Sequence, residues 1–194
     1  LSACGGGSAS VGSTPLPPSA RTNSALTNLQ YSEDFAGRIA VIQYSIARAT
    51  GGATHRGGHT TSSGALVRYD AGAQSYTLIG TPLPASTFAP SHRLAASSGP
   101  VITAYQKTSG NRQENLALFN PGPGNTELAL TYASYGALQS ITDNGSTGHV
   151  TTAFFTYGVL TAASDMPRTG SVNYRTKIDG QFADATGVYA VSGP

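Results

Sequence analysis

An all-β, antiparallel fold is predicted by three features of this sequence. Ten Tyr with no Trp, together with frequent Thr and Val, favour extended backbone. The 24 Gly and 11 Pro supply turn signals. They recur at intervals of roughly 8–12 residues, a spacing typical of sandwiches and barrels, and divide the chain into about nine or ten short strands. No segment reads as a helix.

Composition narrows the function classes. Hydrophobic residues are 39% of the 194, enough to bury a core. Charged residues are only 10%, well below the roughly 25% of ordinary soluble domains. The net charge is +2 and the basic residues are scattered singly, so no electrostatic footprint for nucleic acid is present. No apolar run approaches the roughly 18 residues of a membrane-spanning helix. Cys4 is the single cysteine, which excludes an intrachain disulfide and a multi-cysteine metal site.

The elements follow in order. Residues 1–24 form a Gly/Ser/Pro-rich tether, unable to bury apolar surface. Gly37–Ala49 is the most apolar run: Ala40, Ile42, Tyr44 and Ile46 share one face at period two, with Ile39 and Val41 on the other. Residues 49–64, ATGGATHRGGHTTSSG, read as a loop on glycine content. Ala65–Asp70 and Ser75–Ile79 form a hairpin about Asp70-Ala71-Gly72-Ala73, which places Tyr69 across from Tyr76. Three prolines make residues 81–93 extended and irregular.

Val101–Lys107 and Asn115–Phe119 are strands about a Ser-Gly-Asn turn. The break at Asn120–Asn125 is the strongest in the chain and marks a domain boundary. A small β region over 25–125 is thus separated from a second β region over 126–194. In the latter, Glu127–Gly136, Val150–Val159, Ser171–Ile178 and Gly187–Val191 are strands. Asp143-Asn144-Gly145 is a turn, and Phe154 and Phe155 face opposite ways.

The start of the chain, Leu1-Ser2-Ala3-Cys4, resembles a bacterial lipoprotein lipobox, in which the cysteine carries the lipid; Gly5 after it matches the outer-membrane pattern. The C-terminal third resembles the β-barrel domain of transferrin-binding-protein-B-like lipoproteins. The matching residues are Leu130-Thr131-Tyr132-Ala133-Ser134-Tyr135-Gly136, Phe155-Thr156-Tyr157-Gly158, and Met166 to Tyr174 with its Pro-Arg-Thr-Gly turn. That resemblance implies a handle-like β region over 25–125 followed by a barrel. It further implies a surface-exposed, lipid-anchored outer-membrane protein of a Gram-negative bacterium. Such a protein would bind a host or secreted protein, haem or another solute in iron acquisition. Val172 stands where the family has Ala, and Gly180 comes later than the family's glycine. The sequence ends at Pro194 after about four or five barrel-type strands, which predicts an incomplete barrel.

Four residue sets are candidate sites. His55 and His59 could ligate haem with Tyr44 or Tyr105, but two intervening glycines favour a solvated polar loop, so no cofactor is required. His92 and His149 read as surface residues. Tyr31, Tyr44, Tyr105 and Tyr135 could form a recognition patch, against the simpler reading of core or barrel-end tyrosines. Glu33-Asp34 is the one adjacent carboxylate pair and could serve a glycan hydrolase; Gly-x-Ser-x-Gly is absent. A non-catalytic binding lipoprotein is therefore the leading expectation, ahead of a structural or adhesive surface protein and of a hydrolase.

Overall fold

The computed structural model describes residues 21–193 except 81, 162, 167, 172–177 and 185, and leaves undescribed the side chains of 55–63 and 183. The described chain is all-β and antiparallel, as its composition predicts. The strands are β1 (Glu33–Ala47), β2 (Ala53–Asp70), β3 (Ser75–Gly80), β4 (Leu83–Phe88), β5 (Ile102–Ser109), β6 (Arg112–Phe119), β7 (Ala133–Asp143), β8 (Thr147–Gly158), β9 (Ile178–Asp184) and β10 (Gly187–Gly193). The first eight form one sheet in the order β4-β3-β2-β1-β8-β7-β6-β5, and β9 and β10 form a separate hairpin.

The sheet curls into an incomplete barrel. Although β4 and β5 are its two hydrogen-bonded edges, their side chains meet across a seam. Lys107 Nζ on β5 donates to the Thr87 carbonyl on β4 at 2.9 Å, and it lies 4.7 Å from the centre of the Phe88 ring. The rings of Phe88 and Tyr105 are 6.2 Å apart. The connection from β4 to β5 covers the β5 edge, with Leu94 N donating to the Ala104 carbonyl at 2.9 Å. Edges handled this way present few unpaired backbone groups.

The concave face holds the core. Phe35, Ile39, Val67, Leu78, Phe88, Leu138 and Phe155 are buried there. Tyr69 and Tyr76 pair across the β2–β3 hairpin, as the turn sequence predicts, with rings 5.1 Å apart. Further along the same face the residues become polar. Gln43, Thr151, Ser140, Glu114 and Lys107 are successive register partners, and Glu114 accepts from Arg112 at 2.7 Å and pairs with Lys107 at 3.4 Å.

Burial, reinforced by the neighbouring tyrosines, pushes the Tyr76 phenol far above its ordinary value, and burial does the same for Tyr157. Both hold their protons more tightly folded than unfolded, so their contribution is complete below pH 10.0, the ordinary tyrosine value. It is lost as pH rises through and beyond it. Each can steepen the loss by up to about 1.4 kcal/mol per pH unit. Urea midpoints should therefore fall sharply above that pH, with the tyrosinate absorbance of Tyr76 and Tyr157 appearing only on unfolding. Ionisation of Tyr76 or Tyr157 at the ordinary tyrosine value in the folded chain, read by comparison with Tyr76→Phe and Tyr157→Phe, would contradict this burial.

Four expectations are corrected by the structure. The expected loop 49–64 is mostly strand: the turn closes within a few residues, with Gly51 at φ 70° and its N–H donating to the Ala47 carbonyl at 2.8 Å. From Ala53 onward the backbone pairs with β1, which supplies the ladder partners that the glycines cannot specify themselves. The segment 81–93 contains β4. Pro84 fits there because β4 is an edge strand, where a missing N–H breaks no inner ladder.

Residues 127–132 are not strand. Asn125 Oδ1 accepts from Glu127 N at 2.9 Å and Leu128 N at 3.2 Å, which turns the chain, and β7 begins only at Ala133. Finally, the boundary expected at 125/126 falls inside the eight-stranded sheet. β7 pairs with β6, and β8 with β1, so the handle-like and barrel-like regions share one sheet and one core. The strand expected over Ser171–Ile178 lies largely outside the described residues.

Candidate functional site

Strand alternation places every second residue on the convex face, and three register rows there run across the strands side by side. The middle row is Ala104, Ala117, Ala137 and Phe154, each the partner of the next. Its three alanines leave a shallow floor. One wall is the row Gln106, Asn115, Gln139 and Thr152. The other wall contains Phe119 and Tyr135, whose rings stack 4.5 Å apart at 19°. With strands spaced about 4.8 Å apart, this transverse groove spans roughly 14 Å from β5 to β8.

The amide wall is joined by side-chain hydrogen bonds. Gln106 Nε2 donates to Asn115 Oδ1 at 2.9 Å, Asn115 Nδ2 to Gln139 Oε1 at 3.3 Å, and Gln139 Nε2 to Thr152 Oγ1 at 3.4 Å. Beyond Thr152 lies Tyr44, only 3% exposed. Burial raises its phenol pKa, partly offset by hydrogen bonds from Thr152, Gln139 and Gln181. Such a network fixes the wall's side chains in place.

The β9–β10 hairpin lies over the groove at Phe154. Tyr135 Oη donates to Asp179 Oδ2 at 3.0 Å, and burial together with that carboxylate pushes the phenol well above its usual range. Two recesses flank the crossing and share Phe154. One, about 400 Å³, is lined by Leu94, Ala137, Asn115, Gln139 and Gln181 among others. The second, about 420 Å³, lies among Arg38, Ala40, Tyr135, Ile178 and Asp179. Volumes of this size, mostly apolar with a few fixed polar groups, suit a small ligand or one unit of a longer one. In the first recess Gln181 Oε1 is buried and, among the described residues, lacks a hydrogen-bond partner.

The residues singled out from sequence are dispersed. Cys4 lies outside the described residues, as do the side chains of His55 and His59. Both histidines sit in β2, registered opposite Tyr44 and Val41, which occupy opposite faces of β1. Contrary to expectation, His92 and His149 are half-buried and bonded. His92 Nδ1 accepts from Ala89 N at 3.1 Å, and His149 Nδ1 is 2.8 Å from Ser45 Oγ.

The four tyrosines form no common patch. Tyr105 is in the concave core, Tyr44 is buried under Gln181, Tyr135 walls the groove, and Tyr31 lies by the Arg21 guanidinium. Glu33 and Asp34 are successive strand residues and point to opposite faces. Glu33 accepts from the Asn23 side chain at 2.7 Å, whereas Asp34 is paired with Arg68 at 2.7 Å. The Arg68 hydrogen bond holds the Asp34 carboxyl below its ordinary range. The two carboxyls therefore cannot flank a single scissile bond. Among the described residues no three His, Cys, Asp or Glu side chains group as a metal site.

Sequence reasoning missed the groove, though a signal for it exists. Ala104-x-Gln106, Asn115-x-Ala117 and Ala137-x-Gln139 each set a small residue two positions from an amide. Only the register shows that these pairs line up. No protein-family model, curated protein or solved structure matches this chain.

Proposed function

We propose that this chain is the ligand-binding module of a surface-displayed outer-membrane lipoprotein, anchored through an acylated Cys4 and without catalytic activity. The observation that carries the binding role is the convex groove. It combines an alanine floor, a hydrogen-bonded amide wall and an aromatic wall, with recesses of about 400 and 420 Å³ beside the hairpin. Rigid strands present these side chains, which is how a binding site is held in shape. The anchor is supported by the Leu-Ser-Ala-Cys start and the Gly/Ser/Pro tether that follows it. The resemblance to transferrin-binding-protein-B-like lipoproteins supports display at the cell surface. A host or secreted protein, haem or another solute remains the ligand class that this resemblance proposes.

The test is expression of the native gene in a Gram-negative host with metabolic labelling by a palmitate analogue. The chain should carry label, fractionate with the outer membrane and be cleaved by protease added to whole cells. Cys4→Ser should lose both the label and the membrane association. An unlabelled chain recovered in the soluble periplasmic fraction would overturn the anchor.

A further inference from the structure

We infer that the convex groove binds a short stretch of an uncharged glycan. The inference rests on the groove being the binding site proposed above, and names its ligand class. The recess that ends at Gln181 is lined by no charged side chain, and the second recess carries one of each sign, Arg38 and Asp179, so the groove offers no net charge to an ionic ligand. Its polar groups are of both kinds. Asn115 has two carboxamide N–H donors and uses one in the amide row. Gln181 Oε1, by contrast, is a buried acceptor with no partner among the described residues. A carboxylate or phosphate could only accept and would be repelled by that oxygen; an ammonium could only donate and would leave the N–H groups unpaired. A sugar hydroxyl both donates and accepts, and so satisfies both. Leaving either partner unpaired on binding is costly, which makes the match selective.

The groove's direction and shape agree with this. It runs across the strands on a sheet face, where the backbone groups are already used in the ladders. An extended peptide would therefore find no main-chain partners of the kind that edge pairing supplies. The floor of Ala104, Ala117 and Ala137 leaves room for a bulky pyranose ring. The Phe119–Tyr135 stack offers an apolar wall for its C–H faces. A length of roughly 14 Å accommodates about three sugar units.

The experiment is calorimetric titration of the full chain with cellotriose, maltotriose and triacetylchitotriose, and with an oligoglycine peptide for comparison, at low and high NaCl. At least one saccharide should bind at micromolar to millimolar concentration, with an affinity independent of salt. Asn115→Ala, which removes the free N–H donor, should weaken it up to about tenfold, the effect of one lost hydrogen bond. Ala137→Leu, which fills the floor, should weaken it at least as much. The circular-dichroism spectrum and cooperative melting of Asn115→Ala should remain those of a folded chain, which separates a lost contact from a failure to fold.

Heat from none of the saccharides overturns the glycan, as does binding that collapses in salt or is unchanged in both variants. Heat from oligoglycine alone also overturns the glycan but keeps the groove as a binding site. Acylation of Cys4 is measured separately, so a failed titration with an acylated chain leaves the anchor standing.

Discussion

Phe88→Ala is expected to lower the unfolding free energy by about 3–5 kcal/mol, the range for emptying a fully buried aromatic site. Phe88 is 0% exposed although it lies at the end of an edge strand. Its ring is buried because the sheet curls and brings β5 against it. Tyr105 lies 6.2 Å away, Lys107 Nζ 4.7 Å over the ring, and the His92 ring meets it edge-on at 6.3 Å. The variant should therefore do more than open a cavity. It should loosen the seam, so that backbone amides of β4 and β5 exchange faster than those of β1 and β8. Urea unfolding with hydrogen exchange reads both effects. A loss below about 1 kcal/mol, typical of a surface change, would show that the two edges do not meet through this ring.

Gly37→Ala should cost about 3 kcal/mol or more, a steric penalty rather than a lost contact. A Cβ at this position would overlap the Thr156 carbonyl of β8, which is backbone and has no rotamer to retreat into. The close approach comes from an irregularity in pairing: the β1–β2 register shifts between Gly37 and Ile39, and Arg38 N donates to the Thr156 hydroxyl at 3.3 Å. Such bulges bend a strand and increase its twist, which is what a curling sheet needs beside its centre. Gly99→Ala is the control. Nothing lies within 4 Å of its added Cβ, so stability should stay within about 0.5 kcal/mol. Equal melting of the two variants would remove Gly37 from the features that shape the sheet.

Much of the strand content was legible because it is local. The alternation in Gly37–Ala49 matches β1, Phe154 and Phe155 do face opposite ways, and Asp70–Gly72 and Asp143–Gly145 do turn the chain. Misreadings arose where a partner strand supplied what the segment lacks. Residues 53–63 carry too little apolar pattern to announce a strand, yet β1 and its ladder hold the backbone extended. The break at 120–125 reads as a domain boundary because Pro and Gly end any element. It cannot reveal that the chain on either side returns to the same sheet.

By itself the sequence determined the all-β class and most turns, because propensity and period are properties of neighbouring residues. The tertiary structure alone decided the strand order, the curl and the site. Ala104, Ala117 and Ala137 are far apart along the chain and individually featureless; they become a floor only through the β5–β6–β7 register. Gln181 acquires meaning only where the hairpin carries it over Tyr44. Long-range pairing buries or exposes a side chain according to which strand arrives beside it, and no local period encodes that choice.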